Sequence, residues 1–140
     1  MTLSQALQVQ PPESSWSSLL EGEHLFGGYT KRSVVQDVNL TVHPGEWLTI
    51  VGGNGSGKST LLRLLSRILK PQRGVVRLDG KAIQRRSPQE IARSLAVLPQ
   101  QSRIPMGLTV RQLVGLGRAP HQRWWQWEYS EADQAQIHQA

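Results

Sequence analysis

Apolar and polar positions alternate over residues 38–42, where Val38, Leu40 and Val42 flank Asn39 and Thr41. That is the period-two pattern of a strand with one buried face. An earlier apolar stretch, 25–29, predicts a first strand, and the run Trp47-Leu48-Thr49-Ile50-Val51 predicts a strand buried on both faces. Between these, His43-Pro44-Gly45-Glu46 predicts a turn. The period then changes. Leu61, Leu62, Leu64, Leu65, Ile68 and Leu69 recur at three- and four-residue spacing and predict a helix over 58–69, stopped by Pro71 and Gly74. Short strands are expected at 75–78, ahead of the turn Asp79-Gly80, and at 95–98, ahead of Pro99. Three helix starts carry a capping-box pattern: Ser87 with Glu90, Thr109 with Gln112, and Ser130 with Asp133. Residues 1–22 are polar and rich in serine, with Pro11 and Pro12, and read as a flexible leader.

Composition narrows the class. The chain has 140 residues, 38% of them hydrophobic, which suits one domain with a core. It has no cysteine, which excludes a disulfide scaffold, a cysteine-ligated zinc or iron–sulfur site and thiol catalysis. The four histidines, His24, His43, His121 and His138, form no metal-ligand spacing. No apolar run approaches a membrane span, and no secretory signal is expected. The formal net charge is +6. The excess is concentrated in Lys58, Arg63, Arg67, Lys70, Arg73, Arg77, Lys81, Arg85, Arg86 and Arg93, opposed there only by Asp79 and Glu90. Such a run fits nucleic acid, anionic lipid or phosphate ligands. No aromatic residue interleaves the basic positions from Arg63 to Arg93, which argues against a base-stacking platform for nucleic acid.

The sharpest chemical signal is Gly52-Gly53-Asn54-Gly55-Ser56-Gly57-Lys58-Ser59, a full match to G-x-x-x-x-G-K-[ST] between an expected strand and an expected helix. Glycines let the backbone curl so that successive amides face an anion. The helix that follows offers its unpaired amides and the positive end of its dipole to the same charge. In this arrangement Lys58 reaches the β- and γ-phosphates of a nucleoside triphosphate and the Ser59 hydroxyl ligates Mg²⁺. Thr60 adds a hydroxyl or amide near the α-phosphate. The glycine spacing does not suit a dinucleotide loop of the Rossmann type.

On these residues, together with Val38 to Glu46, the strand and turn Gly74 to Gly80, the stretch Leu95-Ala96-Val97-Leu98-Pro99-Gln100, the later Gly107-Leu108-Thr109-Val110-Arg111 and Gly117-Arg118, the chain resembles the ATP-binding subunit of ATP-binding-cassette (ABC) transporters. Within that family it is most similar to the importer branch for iron–siderophore, haem and cobalamin uptake. The resemblance implies an α/β P-loop fold: an antiparallel β portion, a parallel core and the start of a helical subdomain. It implies a partial ATP-binding core over 23–105 and the beginning of the helical subdomain over 106–140.

The resemblance also implies roles. Tyr29, with Phe26 as the weaker candidate, matches the aromatic that stacks on adenine. Gly52, Asn54, Gly55, Ser56, Gly57, Lys58, Ser59 and Thr60 match the phosphate grip. Gln100 matches the glutamine beside Mg²⁺ and the attacking water, with Gln101 as the neighbouring register. ATP and Mg²⁺ are the implied ligand and cofactor. The implied partners are integral-membrane permease subunits and a second ATP-binding subunit, at the cytoplasmic side of the membrane, with no nucleic acid. Residues Met106 and Leu108 and the cluster Trp124, Trp125 and Trp127 fall in the region that meets the permease in the family, or pack on helices outside this chain.

Other family elements are not in the sequence: the Leu-Ser-Gly-Gly-Gln signature, the strand ending in Asp-Glu, and the switch histidine. Asp79 ends a strand but precedes Gly80 and reads as a turn former. The expectation is a chain truncated before these elements, able to bind phosphates and poor at hydrolysis, because no residue here polarises the attacking water. A nucleotide-binding remnant without turnover is the competing expectation. So is an ABC-type ATPase acting on nucleic acid.

Overall fold

A computed structural model describes residues 19–29, 32–100, 107–122, 125 and 128–140. The chain divides into two compact units, Met1–Arg86 and Ser87–Ala140.

The first unit is an antiparallel sheet with a helix packed on it. Its strands are β1 (Leu20–Gly27), β2 (Val35–Val42), β3 (Arg73–Leu78) and the two-residue β4 (Lys81–Ala82), in the order β2-β1-β3-β4. β1 begins earlier than the apolar pattern indicates and takes in Leu20 to Gly22, assigned by sequence to the leader. Cross-strand hydrogen bonds define it there: Leu20 pairs with Val42 on one side and Leu78 on the other. One irregularity crosses the sheet. His24 and Asp37 both have a left-handed backbone, and Gly74 does too. The register shifts beside His24 on both flanks, as β-bulges produce. Asn39 Oδ1 accepts the His24 amide at 2.8 Å, and the His24 ring meets Asp37 at 2.7 Å.

Helix α1 (Lys58–Leu65) buries Leu61, Leu64 and Leu65 on one face. They join Leu25, Val35, Val76, Leu78 and Ile83 in the core. The approach is close: a Cβ at Gly27 would lie 2.6 Å from a Leu64 methyl. Glycine on β1 is what lets the helix settle this near the sheet. The helix ends four residues sooner than its leucine periodicity predicts. Arg67 takes a left-handed conformation, its N–H donates to Leu64 O at 3.2 Å, and Ser66 N–H donates to Leu62 O at 3.0 Å. This is the hydrogen-bond pattern that closes a helix C-terminus. Here Arg67 takes the position glycine usually holds, and its guanidinium donates to Arg86 O at 2.7 Å.

The expected strands at 47–51 and 95–98 are not formed as ladders. Trp47 is 96% exposed, Val51 80% and Leu98 93%. A strand exists only through partners, and no described residue pairs with either segment. The antiparallel portion of the expected fold is therefore present, and its parallel portion has no ladder among the described residues.

The second unit carries α2 (Pro88–Ser94), α3 (Val110–Gly115) and α4 (Glu131–Gln139), with a 3₁₀ segment Leu116–His121 after α3. All three expected capping boxes are formed, each with the cap hydroxyl accepting from the third amide and the third side chain reaching back to the cap amide. The expected leader up to residue 18 lies outside the described residues, as do Gln101, Met106, Trp124 and Trp127.

Candidate functional site

The loop that precedes α1 is shaped by two left-handed glycines, Gly55 (φ 78°) and Gly57 (φ 97°). Between them the Ser56 amide donates to Gly53 O at 3.3 Å and tightens the turn. Gly57 is constrained twice, by its backbone angle and by β2's entry, since a Cβ there would press on Val34 at 3.2 Å. Around Gly53 and Gly55 there is open space. Gly52, Gly53, Asn54 and Gly55 are all exposed.

Gly57 also occupies the N-cap of α1, and no side chain caps the helix. The helical ladder starts with Leu61 N–H donating to Gly57 O at 2.8 Å. The amides of Lys58, Ser59 and Thr60 therefore have no carbonyl within the helix to meet. The first turn contains no acidic residue. A helix start with neither a capping side chain nor a carboxylate is open to an anion from outside. α2 and α4 of the second unit differ here: each has a serine cap and an acid in the first turn.

Lys58 folds back over the loop. Its ammonium donates to Gly52 O and Gly53 O, both at 2.7 Å, and lies 3.4 Å from Ser56 Oγ. The three ammonium donors thus each face a loop oxygen, and the positive charge stays at the loop's mouth. Ser59 is exposed, which leaves its hydroxyl accessible to a cation, whereas Thr60 is buried.

Tyr29 follows the end of β1 and is 57% exposed. Arg63 of α1 donates from Nη1 to the Tyr29 hydroxyl, and its guanidinium carbon lies 5.5 Å from the ring centroid. The sequence pattern gave no sign of this pairing, because Arg63 reads there as one more member of a basic run. Gln100 is exposed and belongs to the second unit. Much of the basic run is engaged internally. Arg77 pairs with Glu23 at 3.0 Å, Arg86 with Leu78 O at 2.7 Å and Asp79 at 3.2 Å, and Arg93 with Pro120 O at 2.8 Å. Asp79 has a left-handed backbone and serves the turn, as its sequence context indicates.

The family model for ABC transporters matches residues 35–140. The chain belongs to the ABC transporter family. Its P-loop ATPase fold is that of the family's ATP-binding subunits. A solved ATP-binding subunit of an ABC transporter superposes with a TM-score of 0.69 at 30% identity, over 82% of this chain and 45% of that one. The achromobactin transport ATP-binding protein of Dickeya dadantii is 44% identical over 113 residues, which is 81% of this chain and 42% of that protein. A probable siderophore transport system ATP-binding protein of Bacillus subtilis is 43% identical over 123 residues, 88% of this chain and 44% of its own length. This ABC chain thus spans under half the length of these curated relatives. Among its described residues no helix is long and apolar enough to cross a membrane.

Proposed function

We propose that this chain supplies the phosphate-gripping part of the ATP-binding component of an ABC importer, one that couples ATP hydrolysis to uptake of an iron–siderophore or similar chelate. The observation that carries the reading is the uncapped start of α1 behind two left-handed glycines, with the Lys58 ammonium held over the loop. A triphosphate tail needs those parts together: unpaired amides, a helix dipole and a cation at the loop. The Bacillus relative supports the cargo class, since it is named for a siderophore transport system.

In this reading Gly52, Asn54, Gly55, Ser56, Gly57 and Lys58 hold the β- and γ-phosphates, Thr60 lies near the α-phosphate, and Tyr29 stacks on the base. Ser59 would ligate Mg²⁺, and Gln100 keeps the role that the family resemblance implies. Among the described residues there is no group of three His, Cys, Asp or Glu that could hold a metal alone. Mg²⁺ at such a site takes most of its ligands from phosphate oxygens and water. When bound, Mg²⁺ would neutralise charge between the β- and γ-phosphates. Residues 23–105 form part of the ATP-binding core and 106–140 begin the helical subdomain. The partners are permease subunits and a second ATP-binding subunit, at the cytoplasmic face of the membrane. The internal engagement of Arg67, Arg77, Arg86 and Arg93 weighs against the nucleic-acid alternative.

Calorimetric titration with ATP–Mg²⁺ tests the reading. Lys58→Ala is expected to weaken binding by at least about tenfold, the scale of a lost charged hydrogen bond. Equal binding by both proteins, or none by either, would remove the phosphate-loop reading.

A further inference from the structure

Tyr29 and Arg63 stand 34 positions apart, and both are largely exposed, yet Arg63 reaches the phenol oxygen. Arg63 lies on the same helix as Lys58, five residues on, or about 7.5 Å further along the axis. One rigid element therefore carries both the cation at the phosphate loop and the group that ties down the aromatic ring. The hydrogen bond engages the ring through its hydroxyl, which lies in the ring plane at one end. The guanidinium also lies over the ring, its carbon 5.5 Å from the centroid, a cation–π contact on one face. The tie takes the hydroxyl and one face of the ring, and a base would stack on the opposite face. An exposed tyrosine next to a chain turn would otherwise sample several rotamers.

We propose that Arg63 is a positioning residue for the base end of the nucleotide, holding Tyr29 by its hydroxyl in the orientation that receives a purine face. The proposal rests on the reading of Tyr29 as the base platform. Its physical content is preorganisation: a ring already fixed by Arg63 loses less freedom when a base stacks on it. A tie that served only to hold the loop after β1 against α1 would affect stability and leave ligand preference alone. A positioning role makes a different demand. Removing the tie must weaken binding of ligands that have a base and spare those that lack one.

The experiment compares ATP with inorganic tripolyphosphate, both with Mg²⁺, on the full 140-residue chain. Arg63→Ala is expected to weaken ATP binding by about two- to tenfold, the scale of one side chain's ordering cost, with tripolyphosphate binding unchanged. Tyr29→Phe deletes the same hydrogen bond from the other side and is expected to give a matching loss. The double variant should lose no more than either single one. Thermal midpoints of the three variants should stay close to the parent, because both side chains are exposed. Tyr29→Ala separates the layers of inference. If it erases the preference for ATP over tripolyphosphate while Arg63→Ala leaves that preference intact, the positioning role is wrong and the platform stands. If Tyr29→Ala also leaves the preference intact, the platform reading fails and the proposal falls with it. Equal losses for both ligands in Arg63→Ala would place its effect on the phosphate loop and overturn the proposal.

Discussion

In the first unit the fully buried side chains come from distant parts of the chain: Leu25 from β1, Val35 from β2, Leu64 from α1, Val76 and Leu78 from β3, and Ile83 beyond β4. In the second unit few described residues are buried, chiefly Ile91, Gly115, Asp133 and Ile137, while each helix opens with a reciprocal capping box. The first unit is specified by contacts that exist only after the sheet and α1 have met. The second is specified turn by turn, by hydroxyls, carboxylates and the Gln112 carboxamide, three residues from their partners. The candidate phosphate loop belongs to the first kind. Gly57 must fit against Val34, and α1 can hold Lys58 steady because its other end is anchored in the core.

This contrast can be broken at its strong side first. Leu64 is fully buried and faces Gly27. Leu64→Ala should cost about 2–5 kcal/mol, the usual range for a core leucine, read by urea denaturation. Hydrogen exchange should then rise across the strands of the first unit and leave the second unchanged. Uniform acceleration in both units would show that the two are not independently held.

Local caps should matter less and stay local. Ser87→Ala removes a cap whose hydroxyl accepts the Glu90 amide at 3.2 Å. A loss of about 0.5–2 kcal/mol is expected, with faster exchange confined to the first turn of α2. Spread of that change into the sheet would contradict the local account.

The smallest effect is an acid sensitivity of α4. The Ser130 hydroxyl, first, and the Arg118 guanidinium, second, hold the Asp133 carboxyl below its ordinary value, against an opposing push from burial. The distances are 2.6 Å from Ser130 Oγ and 2.8 Å from Arg118 Nε. A carboxyl depressed on folding stabilises fully above the ordinary carboxylate range, and that contribution fades as the pH falls through the lowered value. Exchange in the first turn of α4 should therefore quicken only at strongly acid pH. Asp133→Asn should raise exchange at neutral pH and remove the acid step.

What the sequence by itself determined was everything written in short-range pattern. The three capping boxes, the turn at Asp79-Gly80 and the alternation of β2 all survive in the structure, because each depends on residues a few positions apart. Tertiary structure decided the rest. It extended β1 back to Leu20 through bonds to Val42 and Leu78, and it ended α1 at Leu65, ahead of the left-handed Arg67. It left 47–51 and 95–98 without ladders, because a strand needs partners from elsewhere in the chain whatever its own hydrophobicity. It also brought Arg63 to Tyr29 across 34 positions. No local pattern encodes that meeting, because only the packing of α1 on the sheet brings the helix alongside the end of β1.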